Sequence, residues 1–296
     1  MQAIQLGTSD LTVSPLAWGC WRLDDRTPIA DILDTLAANQ INFIDTAAIY
    51  GYGSDYGAGL AEKLLGDALR DHSSRREDWV IASKGGLDLP VPYNSTREFL
   101  IRDCEASLQR LQIEALDLYM IHRPDLLTPL AEVAETLDHL VASGKTRYVG
   151  VSNFTQTQVN ALAAHVSVPL QVNQVEFSAK HMAPLLDGTL EQCQAMSMTP
   201  MAWSPLGGGA LLKRITDKDP RHIWRLITAL NRIGHAHECE RSQVALAFVR
   251  QYPGVIPVIG SQQPARILEA VAACDIELTR REWYEIVEAR TGEPMP

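Results

Sequence analysis

Eight short apolar segments, each followed by a longer amphipathic segment, recur along the whole chain, and this alternation limits the possible fold more than any other feature. The short segments are bounded by polar residues, glycine or proline and are too short to form stable helices, so they predict β-strands. The predicted strands are Leu16–Gly19, Asn42–Asp45, Trp79–Ser83, Leu116–Ile121, Tyr148–Val151, Leu170–Gln174, Thr199–Trp203 and Val255–Ile259.

The longer segments have the pattern of surface helices, with one apolar and one polar face. Pro28, Pro129 and Pro264 stand at the beginning of three of them, where a proline in the first helical turn is tolerated. The predicted helices are Pro28–Gln40, Gly59–Asp71, Thr96–Leu111, Pro129–Ser143, Thr155–Ala164, Leu185–Met196, Gln243–Arg250 and Pro264–Ala273.

Eight strand–helix units predict an α/β fold, specifically a (β/α)8 TIM barrel, because parallel strands with right-handed crossovers can close into a barrel. Ile4–Leu6 and Leu11–Val13 predict an N-terminal β-hairpin at the floor of that barrel. A doubly wound sheet is the competing architecture. It is disfavoured because Gly19-Cys20-Trp21-Arg22 follows the first strand, where a dinucleotide-binding sheet carries GxGxxG.

Two further helices lie outside the eight units. The longest connection holds Gly207–Pro220 and then a helical segment at His222–Glu238, and an extra C-terminal helix is predicted at Arg280–Ala289. No low-complexity or linker-like segment divides the chain, so residues 1–296 are expected to form one barrel domain.

The charge balance excludes some classes of partner. The chain of 296 residues has a formal net charge of −10, whereas binding to nucleic acid or anionic lipid needs a basic face. The five cysteines form no CxxC pair, which is typical of reduced thiols. The sequence has no cluster of metal-ligating residues, so no metal site is predicted. It also has no segment with the pattern of a signal peptide or a membrane span. We therefore expect a cytoplasmic protein, a monomer by default, that binds neither nucleic acid nor membranes.

Ionisable side chains end three consecutive predicted strands. Asp45, Lys84 and His122 follow strands two, three and four, and Tyr50 lies on the loop after Asp45. In an α/β barrel these ends meet at one mouth, where active sites are built. An ammonium favours the phenolate form, so we expect the pKa of Tyr50 to be lowered and its phenol to become a better proton donor to a carbonyl oxygen. Each residue alone has an ordinary structural explanation, but their co-occurrence indicates catalysis.

Four segments resemble the aldo-keto reductase superfamily: Asp45–Gly51, Ile81–Lys84, Leu118–Pro124 and Gly144–Phe154. The resemblance runs from about Leu6 to Leu278 and is nearest to bacterial oxidoreductases of the YdhF type, whose pattern includes Met201-Ala202-Trp203-Ser204 followed by a glycine-rich turn. It implies NADPH-dependent reduction of aldehydes or ketones to alcohols.

The resemblance also implies residue roles. Tyr50 would be the general acid, Lys84 and Asp45 would tune it, and His122 would orient the substrate, with Trp21, Tyr50 and His122 contacting it. The nicotinamide would lie on Trp203, with its carboxamide bound by Ser152, Asn153 and Gln174. The full set of expected cofactor contacts is Gly19, Cys20, Trp21, Asp45, Ser152, Asn153, Gln174, Trp203, Ser204, Leu206, Gly207, Gly208, Gly209, Ile259, Gly260, Ser261, Gln263, Arg266 and Glu269.

The 2′-phosphate of NADP is expected at Ser261 and Arg266, which favours NADPH over NADH. Two positions depart from the family pattern: Gly260 stands where some members have a phosphate-binding lysine, and Ala270 where many have an asparagine that contacts adenine. A cofactor-binding regulatory subunit, like the β-subunit of an ion channel, and a barrel lyase or isomerase without a redox cofactor are the alternatives to a carbonyl reductase.

Overall fold

A computed structural model describes residues 2–216 and 219–295. Asp217 and Lys218, in the predicted Gly207–Pro220 connection, lie outside the described residues, as do Met1 and Pro296. The strands are β1 Ile4–Gln5, β2 Thr12–Val13, β3 Ala17–Gly19, β4 Phe43–Asp45, β5 Val80–Gly85, β6 Leu116–Ile121, β7 Thr146–Ser152, β8 Leu170–Glu176, β9 Thr199–Trp203 and β10 Ile256–Ile259. The helices are α1 Ile29–Ala38, α2 Leu60–Asp71, α3 Arg97–Leu111, α4 Leu130–Ala142, α5 Gln156–Ala163, α6 Ala183–Leu186, α7 Thr189–Ala195, α8 Arg221–Ala236, α9 Arg241–Gln251, α10 Pro264–Ala272 and α11 Arg280–Thr291.

Strands β3 to β10 form a closed parallel barrel in sequence order, with β10 paired to β3. This confirms the predicted (β/α)8 barrel. β1 and β2 form the predicted antiparallel hairpin. Leu6, Leu11 and Val13 of this region are buried with inward-facing side chains of the barrel such as Phe43 and Met120, so the hairpin closes the amino-terminal end.

The outer layer packs by the apolar stripe of each helix. Leu33 and Leu36 of α1 and Leu137 of α4 are buried together with outward-facing strand residues such as Ile44 and Ile81. This burial follows from the helical spacing of the apolar residues, since one face of each helix meets the sheet while the opposite face stays in solvent.

The extra helices α8 and α11 pack against each other. Leu226, Leu230 and Ile233 of α8 share a buried cluster with Ile286 and Val287 of α11. The C-terminal extension is therefore tied to the long insertion between β9 and β10, beside the barrel. Among the helices of the described residues, none combines the length and the apolar character needed to cross a membrane.

One predicted helix was wrong. Leu185–Met196 is not continuous but is divided into α6 and α7. The break falls at Gly188, which has φ 85°, a left-handed conformation that favours glycine. An ideal Cβ there would lie 2.7 Å from Nε2 of the Gln156 side chain, which would have to move to admit it.

Candidate active site

A cavity of about 850 Å³ opens at the carboxyl end of the barrel. One end contains the predicted catalytic groups Asp45, Tyr50 and His122, and the other end contains Arg266 and Glu269. Sixteen of the nineteen expected cofactor contacts line it: Gly19, Trp21, Asp45, Ser152, Asn153, Gln174, Trp203, Ser204, Leu206, Gly208, Gly209, Ile259, Gly260, Ser261, Arg266 and Glu269. The strand ends identified from the sequence thus line one shared cavity.

Barrel register brings the catalytic groups together. Gly19 pairs with Asp45, Asp45 with Ala82, and Gly85 with Ile121. The amide of His122 then donates to the Gly85 carbonyl at 2.9 Å. Backbone pairing therefore places the residues that end three neighbouring strands at the same mouth of the barrel.

Lys84 is the centre of the arrangement. Its ammonium is fully buried and donates to Asp45 Oδ2 at 2.8 Å, to the Thr46 carbonyl at 2.8 Å and to the Tyr50 hydroxyl at 3.1 Å. Burial lowers the pKa of Lys84, but the charge of Asp45 and the contact with Tyr50 raise it above its usual value overall. The ammonium therefore remains charged in a nearly dry site.

Tyr50 corrects an expectation from the sequence. Lys84 does lower the pKa of the phenol, as expected, but burial is the larger effect, so the pKa of Tyr50 lies above its ordinary value. Sequence reasoning took account of the ammonium and not of the loss of water around the ring. The phenol consequently carries its proton at neutral pH, which is the form a proton donor needs.

The rings of His122 and Trp21 lie beside the ring of Tyr50. The ring centroid of Tyr50 is 5.1 Å from that of Trp21 and 5.8 Å from that of His122, both in edge-on geometry. Burial, together with the charges of Lys84 and Arg123, holds the pKa of His122 well below its usual value. The imidazole is therefore neutral near pH 7 and can donate only one N–H.

The expected carboxamide partners form a connected network. Asn153 has φ 61°, a left-handed conformation that asparagine tolerates at a strand end. Its Nδ2 donates to Ser152 Oγ at 2.7 Å, and its Oδ1 accepts from Trp203 Nε1 at 2.9 Å. Gln174 Nε2 donates to Asp45 Oδ1 at 2.8 Å. This last bond links the expected carboxamide site directly to the Asp45–Lys84 pair.

The far end of the cavity is open and has backbone that an anion can approach. An ideal Cβ on Gly208, Gly209 or Gly260 would meet nothing within 4 Å. Arg266 lies exposed in the first turn of α10, whose amino-terminal amides and partial positive charge also favour an anion. These are the features a pyrophosphate and a further phosphate require.

Three expected cofactor contacts do not line the cavity. Cys20 is fully buried behind it, and its thiol pKa is raised by burial. Gly207 is buried against Lys180. Gln263 is exposed at the N-cap of α10, outside the cavity wall. Their roles remain predictions, and the geometry gives them less support than it gives the other sixteen.

Sequence reasoning missed the wall formed by the beginning of α9. Glu240, Arg241 and Ser242 line the cavity, and Ser242 Oγ is hydrogen-bonded to Glu269. The helix was predicted to begin at Gln243. The signal was present, because a glutamine three residues after Glu240 can cap the helix from there: the Gln243 Oε1 accepts from the Glu240 amide at 2.9 Å.

Comparison with known proteins agrees with this architecture. The model of the Aldo/keto reductase family matches residues 3–291, so the chain belongs to that family of oxidoreductases. The chain is 41% identical over 99% of its length to a "6-dehydroglucose reductase" of Novosphingobium aromaticivorans, of which 96% is covered. It is 34% identical to "Oxidoreductase YdhF" of Escherichia coli, with both chains covered completely.

A solved structure is also similar. The thermostable aldo-keto reductase Tm1743, crystallised with the inhibitor epalrestat, has a TM-score of 0.82 and 28% sequence identity, with 98% of this chain and 100% of that chain covered. The resemblance stated from the sequence, both to the superfamily and to the YdhF type, is confirmed.

Proposed function

We propose that the protein reduces aldehydes or ketones to alcohols with NADPH, using Tyr50 as the general acid. The observation that carries this proposal is the buried contact of Lys84 with both Asp45 and the Tyr50 hydroxyl, at 2.8 and 3.1 Å. A buried carboxylate, ammonium and phenol in contact contribute little to folding stability compared with apolar side chains of similar volume. They do provide a polarised proton donor inside a cavity.

The residues present fit a nicotinamide dinucleotide. Gln174 Oε1 makes no hydrogen bond within residues 2–216 and 219–295, and it can accept from a carboxamide N–H while Nε2 stays on Asp45. Trp203 supplies an aromatic wall, and the open glycine backbone at Gly208 and Gly209 admits a pyrophosphate. When bound, the reduced nicotinamide supplies the hydride for the carbonyl carbon.

Side chains of the protein donate the proton and the hydrogen bonds to the carbonyl oxygen. The Tyr50 hydroxyl donates its proton as negative charge develops on that oxygen, and the adjacent Lys84 ammonium stabilises the phenolate that remains. His122, neutral and beside Tyr50, donates an N–H to the same oxygen and orients the substrate. Asp45 keeps Lys84 charged, and the phenol regains its proton from solvent after the alcohol leaves.

The preference for NADPH is part of the proposal. Arg266 and Ser261 lie at the far end of the cavity, where a guanidinium and a hydroxyl can bind a terminal phosphate. Within this proposal the substrate is a small carbonyl compound in the cytoplasm and the protein is a monomer. Because two relatives are named "6-dehydroglucose reductase", sugar aldehydes are the first substrates to examine.

The direct experiment is a panel of aliphatic, aromatic and sugar-derived aldehydes and ketones, assayed with NADPH and with NADH. We expect carbonyl-dependent oxidation of NADPH, with a lower KM for NADPH than for NADH. Reactions without enzyme and without carbonyl are the controls. Binding of NADPH without turnover of any carbonyl would contradict the proposal and favour a regulatory subunit, and no binding of either cofactor would favour a lyase or isomerase.

A further inference from the structure

A second cavity, of about 590 Å³, adjoins the main one at the barrel mouth. Arg123, Asn153 and Trp203 line both cavities, so the second begins where the catalytic end of the first is bounded. Its other walls come from the beginning of α5 and from the segment between β8 and α7. The volume lies within the range of about 300–1,000 Å³ that is typical of ligand sites.

Arg123 is a cation at this junction, and its guanidinium lies over an aromatic ring and forms no ion pair with a described residue. Its guanidinium carbon lies 5.7 Å from the centroid of the Trp203 ring, and its charge acts on the neighbouring His122. Within the described parts of the chain, Arg123 has no carboxylate within 4.0 Å and no hydrogen bond. Its donors are therefore available to oxygen atoms of a bound molecule.

The second cavity has both polar and apolar side chains in its lining, and its carboxylates outnumber its guanidinium groups by two to one. Glu176 and Asp187 contribute carboxylates, whereas Arg123 contributes the one guanidinium of the lining and His181 lies 3.9 Å from Glu176. Thr157 adds a hydroxyl on the exposed side of α5. Two carboxylates would repel an anionic ligand, and a wholly apolar ligand would leave the carboxylates and the guanidinium without hydrogen-bond partners.

We propose that the second cavity is a subsite that binds a neutral, polyhydroxylated extension of the carbonyl substrate, with Arg123 donating to the oxygens nearest the carbonyl group. A polyol or glycosyl unit supplies both donors and acceptors, which match carboxylates, hydroxyls and a guanidinium together. The substrate class is therefore a hydroxylated aldehyde or ketone longer than one sugar ring, an inference that rests on the proposed carbonyl reduction.

The test compares substrates that share one reactive end. A methyl hexoside oxidised to the aldehyde at its primary alcohol is compared with a disaccharide that carries the same aldehyde, and with a disaccharide of equal size that also bears a distal carboxylate. We expect the neutral disaccharide to have a KM about tenfold below that of the monosaccharide, since additional hydrogen bonds and buried area of this size contribute roughly 1–2 kcal/mol. The carboxylate form should lose this advantage.

A variant that fills the second cavity tests whether the KM advantage of the disaccharide arises there. Thr157→Trp places a large side chain in its wall, and Ala164→Trp places the same residue at the exposed far end of α5, outside both cavities. We expect Thr157→Trp to abolish the advantage of the disaccharide, and Ala164→Trp to leave the ratio of the two KM values as in the wild type. Thermal unfolding of both variants checks that they are folded.

The inference can fail separately from the proposed function. Equal KM values for the mono- and disaccharide, an advantage for the carboxylate form, or an unchanged ratio in Thr157→Trp would each overturn the subsite while leaving carbonyl reduction intact. If no carbonyl is turned over, calorimetry with the unoxidised methyl disaccharide still decides. Binding that Thr157→Trp removes supports the subsite, and absence of binding to the NADP-loaded protein overturns it.

Discussion

The two ends of the main cavity are built in opposite ways. At the catalytic end, Asp45 and Lys84 are buried on strands and already joined by hydrogen bonds. At the nucleotide end, Gly208 and Arg266 lie exposed on a loop and on the first turn of a helix, with open space beside the glycine. The barrel therefore pre-forms the charge arrangement for chemistry, while the dinucleotide itself is expected to complete the other end.

Removal of the Lys84 ammonium from the catalytic end of the main cavity should have a greater effect than any change at the nucleotide end. Lys84→Met removes the ammonium but keeps an unbranched side chain of similar length, so Tyr50 loses the cation that stabilises its phenolate. We expect kcat to fall about a thousandfold, the range of a lost acid–base contribution, while the Kd for NADPH changes by less than about threefold. Initial rates and fluorescence titration measure the two quantities. Equal losses in both would show that the two ends are not separable.

A smaller effect is expected at the open end. Arg266→Gln removes a guanidinium that can pair with a terminal phosphate, so we expect the KM for NADPH to rise about tenfold or more while the KM for NADH stays nearly constant. The matched control is Arg102→Gln, which replaces an exposed arginine that lies over the ring of Phe99 on α3. Parallel changes for both cofactors would refute the assignment of the 2′-phosphate site.

The smallest predicted effect concerns the support of β5. Asp103 Oδ2 accepts from the amide of Gly86, directly after the strand that carries Lys84, and burial raises the pKa of Asp103 to about 6. Between its ordinary pKa of 3.8 and about 6, the folded protein binds more protons than the unfolded chain. Stability contributed by this group therefore falls as pH rises through that window.

Asp103→Asn keeps an acceptor for Gly86 and removes the titration. Relative to wild type, we expect the variant to gain about 1 kcal/mol of unfolding free energy between about pH 5 and about pH 7.5. Urea unfolding at several pH values measures the difference. A difference that does not vary with pH would mean that Asp103 does not titrate in this range in the folded state.

The sequence predicted the barrel well because its signal is local and repeated. Leu116–Ile121 and Thr199–Trp203 were predicted with the bounds that the structure has, since each is a mainly apolar run that is followed by a polar residue. The break at Gly188 was missed because the apolar pattern continues across it. What stops the helix is the left-handed glycine packed against Gln156, a tertiary contact that periodicity does not reveal.

The candidate site was also predicted in part from local sequence signals, and the rest depended on tertiary contacts. Strand order alone placed Asp45, Lys84 and His122 at one mouth. The bond from Gln174 to Asp45 crosses the barrel between residues far apart in sequence and could not be read from spacing. The net direction of the Tyr50 pKa depended on how much water the fold removes, which only three-dimensional burial determines.

Tyr50→Phe tests whether the Tyr50 phenol donates the proton to the carbonyl oxygen, because this substitution removes a single oxygen atom. The control is Tyr56→Phe, the same change at an exposed tyrosine of the same loop. We predict a fall of about a thousandfold in kcat/KM for Tyr50→Phe, with cofactor binding retained and Tyr56→Phe close to wild type. Carbonyl turnover by Tyr50→Phe within about tenfold of the wild-type rate would contradict the account.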